Sequence, residues 1–383
     1  MNFELSEEQT MMADAVKKFV TNASPVTRFR ALRGTETGWD PKAWATMGEQ
    51  GWLAVSFPEA HGGYGGTFID NALILEQLGR GLVPEPYIAS VVLAGALISR
   101  LGSQAQVDTF LAPMLEGRTS LALAYAEKQS RYELADCETT ATRSAGGYVL
   151  RGTKLWVLNG HAADTVVVAA RTSGTSRDKA GLSLFVVDGD APGLERTRVH
   201  GMDGQSTALL KFNGVEVGAD RLLGAEGAAL EHLEWAIDRG AAAACAEAQG
   251  ELAELLTLTV EYIKQRKQFG RAIGSFQVLQ HRAADMFAEV ELCKGMMILA
   301  ALQVDDDADK RKVAISSAKV QLQTGGWFVQ ENSVQLFGGI AVTDEQDVGL
   351  YFKRVRVLQG LFGDADYHVD RYQSLPSFEG EAL

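Results

Sequence analysis

The sequence predicts an α+β protein in three consecutive parts: a helical domain at 1–118, an antiparallel β-sandwich or barrel at 119–225, and a C-terminal four-helix bundle at 226–383. Three observations lead there. Apolar residues recur at helical spacing in the first and last parts. Short β-branched runs punctuated by glycine and Asn-Gly turns fill the middle. Few prolines fall in the C-terminal half, which suits long uninterrupted helices.

In the first part, Ser6 stands three residues before Gln9, a capping-box arrangement that opens an amphipathic run to about Val20. A short helix is expected over Trp44–Gly51 and another over Asp70–Gly79. Pro84 and Pro86 then break the pattern before Tyr87–Leu101 resumes it. Between them, Pro58 to Gly66 is rich in glycine. No strand precedes it and its spacing is not Gly-x-Gly-x-x-Gly, so it reads as a connector rather than a phosphate loop.

The strand-like runs of the middle part begin at Tyr148, Lys154, Thr165, Leu182 and Ala208. Gly146-Gly147, Asn159-Gly160, Gly174 and Asn213-Gly214 separate them. From Glu226 the helical period returns, with Leu230, Leu233, Ile237, Ala241 and Ala244 along one face.

Composition narrows the function. With 383 residues, 46% of them hydrophobic, a large core is available. No apolar run reaches membrane-span length. The acidic start is unlike a targeting peptide. A net charge of −13 disfavours nucleic acid. Cys137, Cys245 and Cys293 are too scattered for a zinc site or a disulfide framework. A cytoplasmic protein without a metal is expected.

Four motifs then occur in order: Pro58-Glu-Ala-His-Gly-Gly-Tyr-Gly; Lys154-Leu-Trp156-Val-Leu-Asn159-Gly160; Arg266-Lys-Gln268-Phe269-Gly270 followed by Phe276-Gln277; and Gln335-Leu-Phe-Gly338-Gly339 followed by an Arg-rich helix. Together they resemble the acyl-CoA dehydrogenase family over nearly the whole chain. Within it, Phe362-Gly363-Asp364-Ala365-Asp366 and Glu127-Lys-Gln-Ser-Arg131-Tyr132 resemble the small subunit of pimeloyl-CoA dehydrogenases. The resemblance implies the three-domain fold of that family. It also implies an FAD lying between the sheet domain and the bundle, with its adenosine half held by a neighbouring subunit.

Residue by residue, the resemblance implies that Arg266 contacts the FAD pyrophosphate, where a guanidinium fork suits paired oxygens. Phe269 and Gln277 would line the adenine side. Gln335, Gly338 and Gly339 would reach a neighbour's cofactor, and Trp156, with Asn159 on the same loop, would pack by the flavin ring. The residues also allow plainer readings: Arg266 as a solvated helix-end cation, Trp156 as a core residue, Gly338-Gly339 as a helix C-cap. Two departures stand out. Ala126–Arg131 replaces the family's Thr-Glu-Pro-Gly-x-Gly-Ser-Asp loop, and Val157 and Leu158 replace a flavin-facing threonine.

The implied reaction removes the α-proton of an acyl-CoA and passes a hydride from Cβ to the flavin, giving the 2-enoyl-CoA. Electrons then go to an acceptor such as electron-transfer flavoprotein. In much of the family a glutamate before the Gly that matches Gly363 takes the proton, and its backbone N–H polarises the thioester carbonyl. Here that position is Phe362, which keeps the N–H and loses the carboxylate. The base candidates are Asp238, with Arg239 beside it facing substrate, and Asp364, which could equally cap the last helix. A base in another chain is the third possibility. It would make this protein the non-catalytic FAD-binding small subunit of an α2β2 assembly rather than a homotetramer. A flavin oxidase or monooxygenase on the same fold is a further alternative.

Overall fold

The computed structural model describes residues 5–375, so the reading of Met1–Glu4 as part of a non-targeting start lies outside them. Helices α1 (Glu7–Ala23), α2 (Val26–Leu32), α3 (Pro41–Glu49) and α4 (Phe68–Arg80) come first. A helical run follows in which wide π turns at Ile88–Gly95 and Val107–Leu111 alternate with α5 (Ala96–Leu101), α6 (Gln104–Gln106) and α7 (Ala112–Leu115). Eight strands come next: β1 (Leu121–Ala124), β2 (Thr140–Ser144), β3 (Gly147–Leu158), β4 (Thr165–Arg171), β5 (Leu182–Asp188), β6 (Leu194–His200), β7 (Ser206–Gly218) and β8 (Leu222–Leu223). The 36-residue α8 (Leu230–Gln265) leads to the small hairpin of β9 (Lys267–Gln268) and β10 (Arg271–Ala272). Four helices end the described chain: α9 (Gln277–Gln303), α10 (Ala308–Phe337), α11 (Asp347–Gly360) and α12 (Ala365–Gln373).

These elements form two compact units. Residues 31–67 and 84–240 make one; residues 5–30, 68–83 and 241–375 make the other. The predicted helix–strand–helix order is what the chain adopts.

The first unit is built on a sheet of order β6-β7-β3-β2-β4-β5-β8, mainly antiparallel, with β1 added parallel to β4. Inward residues such as Leu150, Val168, Phe185, Leu210 and Phe212 fill its core, and Tyr148 packs on Phe185 with ring centroids 4.8 Å apart. The runs that begin at Tyr148 and Lys154 are a single strand, β3. Its pairing with β7 shifts register at Leu150/Arg151 and again at Lys154/Val157. Gly152, between the two shifts, has φ of +150° and leaves room only for Thr139.

The helical unit opens with the predicted capping box: Ser6 Oγ accepts from the Gln9 N–H and Gln9 Oε1 from the Ser6 N–H, both at 3.1 Å. Two glycines set its packing. A Cβ at Gly79 would lie 2.1 Å from the Glu247 carbonyl oxygen, and one at Gly250 would lie 1.9 Å from that of Glu76. Backbones of α4 and α8 therefore touch directly. Next to that crossing, buried Arg354 of α11 donates to Glu247 Oε1 at 2.7 Å. Helix α10 packs against α9, α11 and α12. Among the described residues, no helix is long and apolar enough to cross a membrane, and no group of three His, Cys, Asp or Glu side chains could hold a metal ion.

The glycine crossing yields a test. Gly250→Ala forces its methyl against the Glu76 carbonyl and should destabilise the protein by about 1–3 kcal/mol in urea unfolding. An unchanged unfolding midpoint would show that the two helices are not in backbone contact.

Candidate active site

The site candidates begin on β3, where the sequence buries a lysine. Lys154 has no exposed surface, and its ammonium must find acceptors inside the protein. It donates to Glu127 Oε1 at 2.6 Å, to the Tyr125 carbonyl at 3.1 Å and to Cys137 Sγ at 3.4 Å. Glu127 also accepts from the backbone N–H groups of Glu138 and Thr139 and from Gln129. Burial alone would raise the Glu127 carboxyl. Lys154, with hydrogen bonds from Thr139 and Gln129, holds it down at about 2.

Immediately after this anchor β3 bulges. Lys154 and Val157 both point inward, so one extra residue must be accommodated between them. Trp156 takes the strain: its φ is +53° and its side chain is 61% exposed. It is therefore not a core residue. Asn159, also left-handed at φ +57°, is buried. Its Oδ1 accepts from the Trp39 indole at 3.1 Å and its Nδ2 donates to the Leu121 carbonyl at 3.4 Å. Asn159 thus fixes the loop that presents Trp156, with its amide engaged inside the protein.

A second buried lysine organises the end of α11. Lys319, 1% exposed, extends from α10 and donates to the carbonyls of Leu358 at 2.8 Å, Gln359 at 3.0 Å and Leu361 at 2.6 Å. All three ammonium protons are used. Burial pulls its pKa down to about 8, which leaves it charged at neutral pH. The chain then turns through buried Phe362, with φ +61°, and Gly363, with φ +116°. A Cβ at Gly363 would lie 2.5 Å from both His368 and Tyr367, so only glycine fits.

His368 closes this turn. Its Nε2 lies 3.2 Å from the Phe362 carbonyl and its Nδ1 lies 3.2 Å from Ser316 Oγ. Because the carbonyl can only accept, Nε2 carries the proton and Nδ1 accepts from the serine. Burial, reinforced by the Lys319 and Arg371 cations, lowers the His368 pKa to about 3. The Phe362 N–H has no hydrogen-bond partner among the described residues. Asp364 accepts from the Tyr367 N–H at 3.0 Å as the N-cap of α12, the plainer of its two sequence readings.

Arg266 follows the last residue of α8 and is exposed beside the β9–β10 hairpin. Phe269, at that hairpin's turn, has φ +54° and is 91% exposed, against Phe276 at 6.1 Å between ring centroids. Gln277 is exposed at the first position of α9. Gln335 is exposed near the end of α10, which Gly338 terminates with φ +69°. The C-cap reading of Gly338 holds, and it leaves backbone open. A Cβ at Gly338 or Gly339 would meet nothing within 4 Å.

Asp238 and Arg239 lie on α8, 2% and 6% exposed. The Arg239 guanidinium lies 4.8 Å from the Trp235 ring centre, and Arg100 lies 4.5 Å from the same ring.

Among the described residues, six that are not glycine have left-handed backbone: Leu82, Arg131, Trp156, Asn159, Phe269 and Phe362. Four of these six are sequence-nominated site residues, and such strain gathers where backbone is over-determined for a purpose. Sequence reading missed Lys319 and His368. Their signal was a single lysine among the apolar positions Ile315, Ala318 and Leu322, and a histidine two residues beyond Asp366.

Three family models match the chain: acyl-CoA dehydrogenase N-terminal domain at residues 6–118, middle domain at 122–215 and C-terminal domain at 230–373. A probable acyl-CoA dehydrogenase of Bacillus subtilis is 31% identical over 94% of this chain and 95% of its own length. Butyryl-CoA dehydrogenase from Megasphaera elsdenii superposes with a TM-score of 0.90 at 26% identity, covering 97% of this chain and 98% of that one. The ChsE4–ChsE5 complex from Mycobacterium tuberculosis gives 0.87 at 27% identity, covering 97% of each chain.

Two outcomes follow from the titrating groups and the cap. His368 is neutral in the fold, with its pKa below the unfolded value of 6.5. The stability it carries is complete above pH 6.5 and is lost as pH falls toward 3. Glu127 contributes stability that is present above 4.5 and lost only as pH falls through about 2. Urea unfolding between pH 7 and 4 should therefore show a shallower loss of stability in His368→Gln; parallel curves would contradict the assignment. Asp364→Ala should cost about 1 kcal/mol through the lost cap, and a change within error in the same assay would mean that the cap contributes nothing.

Proposed function

The chain belongs to the acyl-CoA dehydrogenase family, and on that premise we propose that its Leu361–Gly363 turn polarises the thioester carbonyl of an acyl-CoA. The protein is an FAD-dependent acyl-CoA dehydrogenase. The observation that carries the reading is Phe362: buried, left-handed, and with an N–H that no described residue accepts. A fixed backbone donor in a dry site is worth most where negative charge develops, here on the enolate oxygen.

The residues present suit the dinucleotide. An exposed indole on a bulge, an exposed arginine beside a 91% exposed phenylalanine, and two open glycines are features that water alone does not require. Arg266 would bind the pyrophosphate, Phe269 and Gln277 the adenine side, and Gln335, Gly338 and Gly339 a neighbouring subunit's cofactor. Trp156 would cover the flavin ring, held out by the Lys154–Glu127 anchor and by Asn159. When bound, FAD supplies the acceptor for the hydride leaving Cβ.

For the proton, Asp238 is the first candidate. It is buried on α8, where a carboxylate can meet a substrate out of bulk water. Arg239, one residue on, would face the substrate. Asp364 is the rival, and its hydrogen bond to Tyr367 N sets it on the α12 cap.

A second reading is favoured by one observation, the apolar side chain at the family's base position. In it this chain is the FAD-binding small subunit of an α2β2 assembly, like the small subunit of pimeloyl-CoA dehydrogenases. A related large subunit would then supply the base. The similarity to a ChsE4–ChsE5 complex supports pairing with a related chain. Otherwise the assembly is a homotetramer, and in either case electrons leave to electron-transfer flavoprotein.

Two experiments test these assignments. Arg266→Ala should weaken FAD binding by roughly 1.5–3 kcal/mol, about 10- to 150-fold; retention of FAD at parental affinity would remove Arg266 from the cofactor site. Asp238→Asn should keep FAD and slow flavin reduction by acyl-CoA by about 10²-fold or more in rapid mixing, with Phe362→Glu restoring part of the rate. Parental rates in Asp238→Asn and slow ones in Asp364→Asn would move the base to Asp364. Parental rates in both would place it in a partner chain.

A further inference from the structure

We propose that Lys319 is a positioning residue for the carbonyl-polarising donor: by binding the Leu361 carbonyl it aims and strengthens the Phe362 N–H. This rests on the reading of the Leu361–Gly363 turn given above. The Leu361 carbonyl and the Phe362 N–H belong to one peptide group. That group is planar and trans, so its oxygen and its N–H point in opposite directions. Lys319 Nζ sits 2.6 Å from the oxygen, and fixing that end fixes the direction of the other.

Charge adds to aim. A cation on the carbonyl oxygen draws electron density through the amide and makes its N–H a better donor, the usual cooperative effect in hydrogen-bond chains. The next peptide is fixed as well, because His368 Nε2 donates to the Phe362 carbonyl at 3.2 Å. With both flanking peptide planes anchored at oxygen, Phe362 has no freedom to leave the left-handed region. Lys319 also binds the Leu358 and Gln359 carbonyls, so it ties the turn to the last turn of α11. An ordinary helix-capping cation needs only those two. The third bond, to the carbonyl beyond the helix, is the one that bears on the donor.

The charged and titratable groups that act on Lys319 are Cys245 of α8 and Asp364 before α12, and Lys319 in turn acts on His368 of α12. None of them accepts a Lys319 proton, which leaves the three carbonyls as its acceptors.

The test reads the carbonyl directly. FAD-loaded protein, with its partner chain if it needs one, is mixed with a non-oxidisable acyl-CoA analogue carrying a ¹³C-labelled thioester carbonyl. The infrared stretch of that carbonyl is followed on binding, in the parent, in Lys319→Met and in Lys319→Gln. The parent should show a downshift, Lys319→Met most of it lost, and Lys319→Gln, a neutral donor of near size, an intermediate value. With an oxidisable acyl-CoA, kcat should fall about 10-fold or more in Lys319→Met with KM changed less than about twofold, as expected for an interaction that acts in the transition state. A full downshift in both variants would overturn the role of Lys319, leaving it a helix cap. A parent with no downshift would instead overturn the reading of the turn itself. If Lys319→Met does not fold, Lys319→Gln decides alone, and a downshift equal to the parent's rejects the proposal.

Discussion

A buried ammonium group must be surrounded by acceptors, and this one requirement shapes both units. Among the described residues, Lys154 and Lys319 are the two lysines with essentially no exposed surface. An unpaired charge there would cost several kcal/mol, so each lysine brings fixed oxygens around it. Lys154 gathers Glu127 and the Tyr125 carbonyl; Lys319 gathers three carbonyls at the end of α11. The chain near each lysine is thereby over-determined, and it is there that the backbone departs from regular geometry.

What the two anchors hold is alike in kind. Two residues after Lys154 comes Trp156, and one residue after the Leu361 carbonyl comes Phe362; both are aromatic and both are left-handed. Such a conformation costs about 1–2 kcal/mol for a residue with a Cβ. It persists because the neighbouring hydrogen bonds allow no alternative. Trp156 is thereby held out of the sheet, and Phe362 is held with its carbonyl on His368 and its N–H taken by no described residue. A Gly363 that tolerates no Cβ completes the second turn.

Much of this was legible in the sequence. The Ser6/Gln9 box, the helix–strand–helix order and the Asp364 cap follow from local rules, since capping and periodicity depend on residues a few positions apart. The exposure of Trp156 was not legible, because the bulge that ejects it depends on pairing between β3 and β7, some 50 residues away in sequence. The roles of Lys319 and His368 were hidden for the same reason. Each depends on a partner that only the packing of α10, α11 and α12 brings near. The loss of glutamate and the retention of the N–H at Phe362 were plain from the motif, whereas the lack of any described acceptor for that N–H needed the geometry of the turn.

The proposed chemistry therefore stands on a backbone group rather than on the side chain that usually accompanies it. The most direct measurement is an experimental structure of the FAD-loaded protein with a non-oxidisable acyl-CoA bound. The thioester oxygen should lie within about 2.7–3.1 Å of the Phe362 nitrogen, with Lys319 still on the Leu361 carbonyl. A thioester oxygen bound elsewhere, with the Phe362 N–H facing protein or solvent, would contradict it.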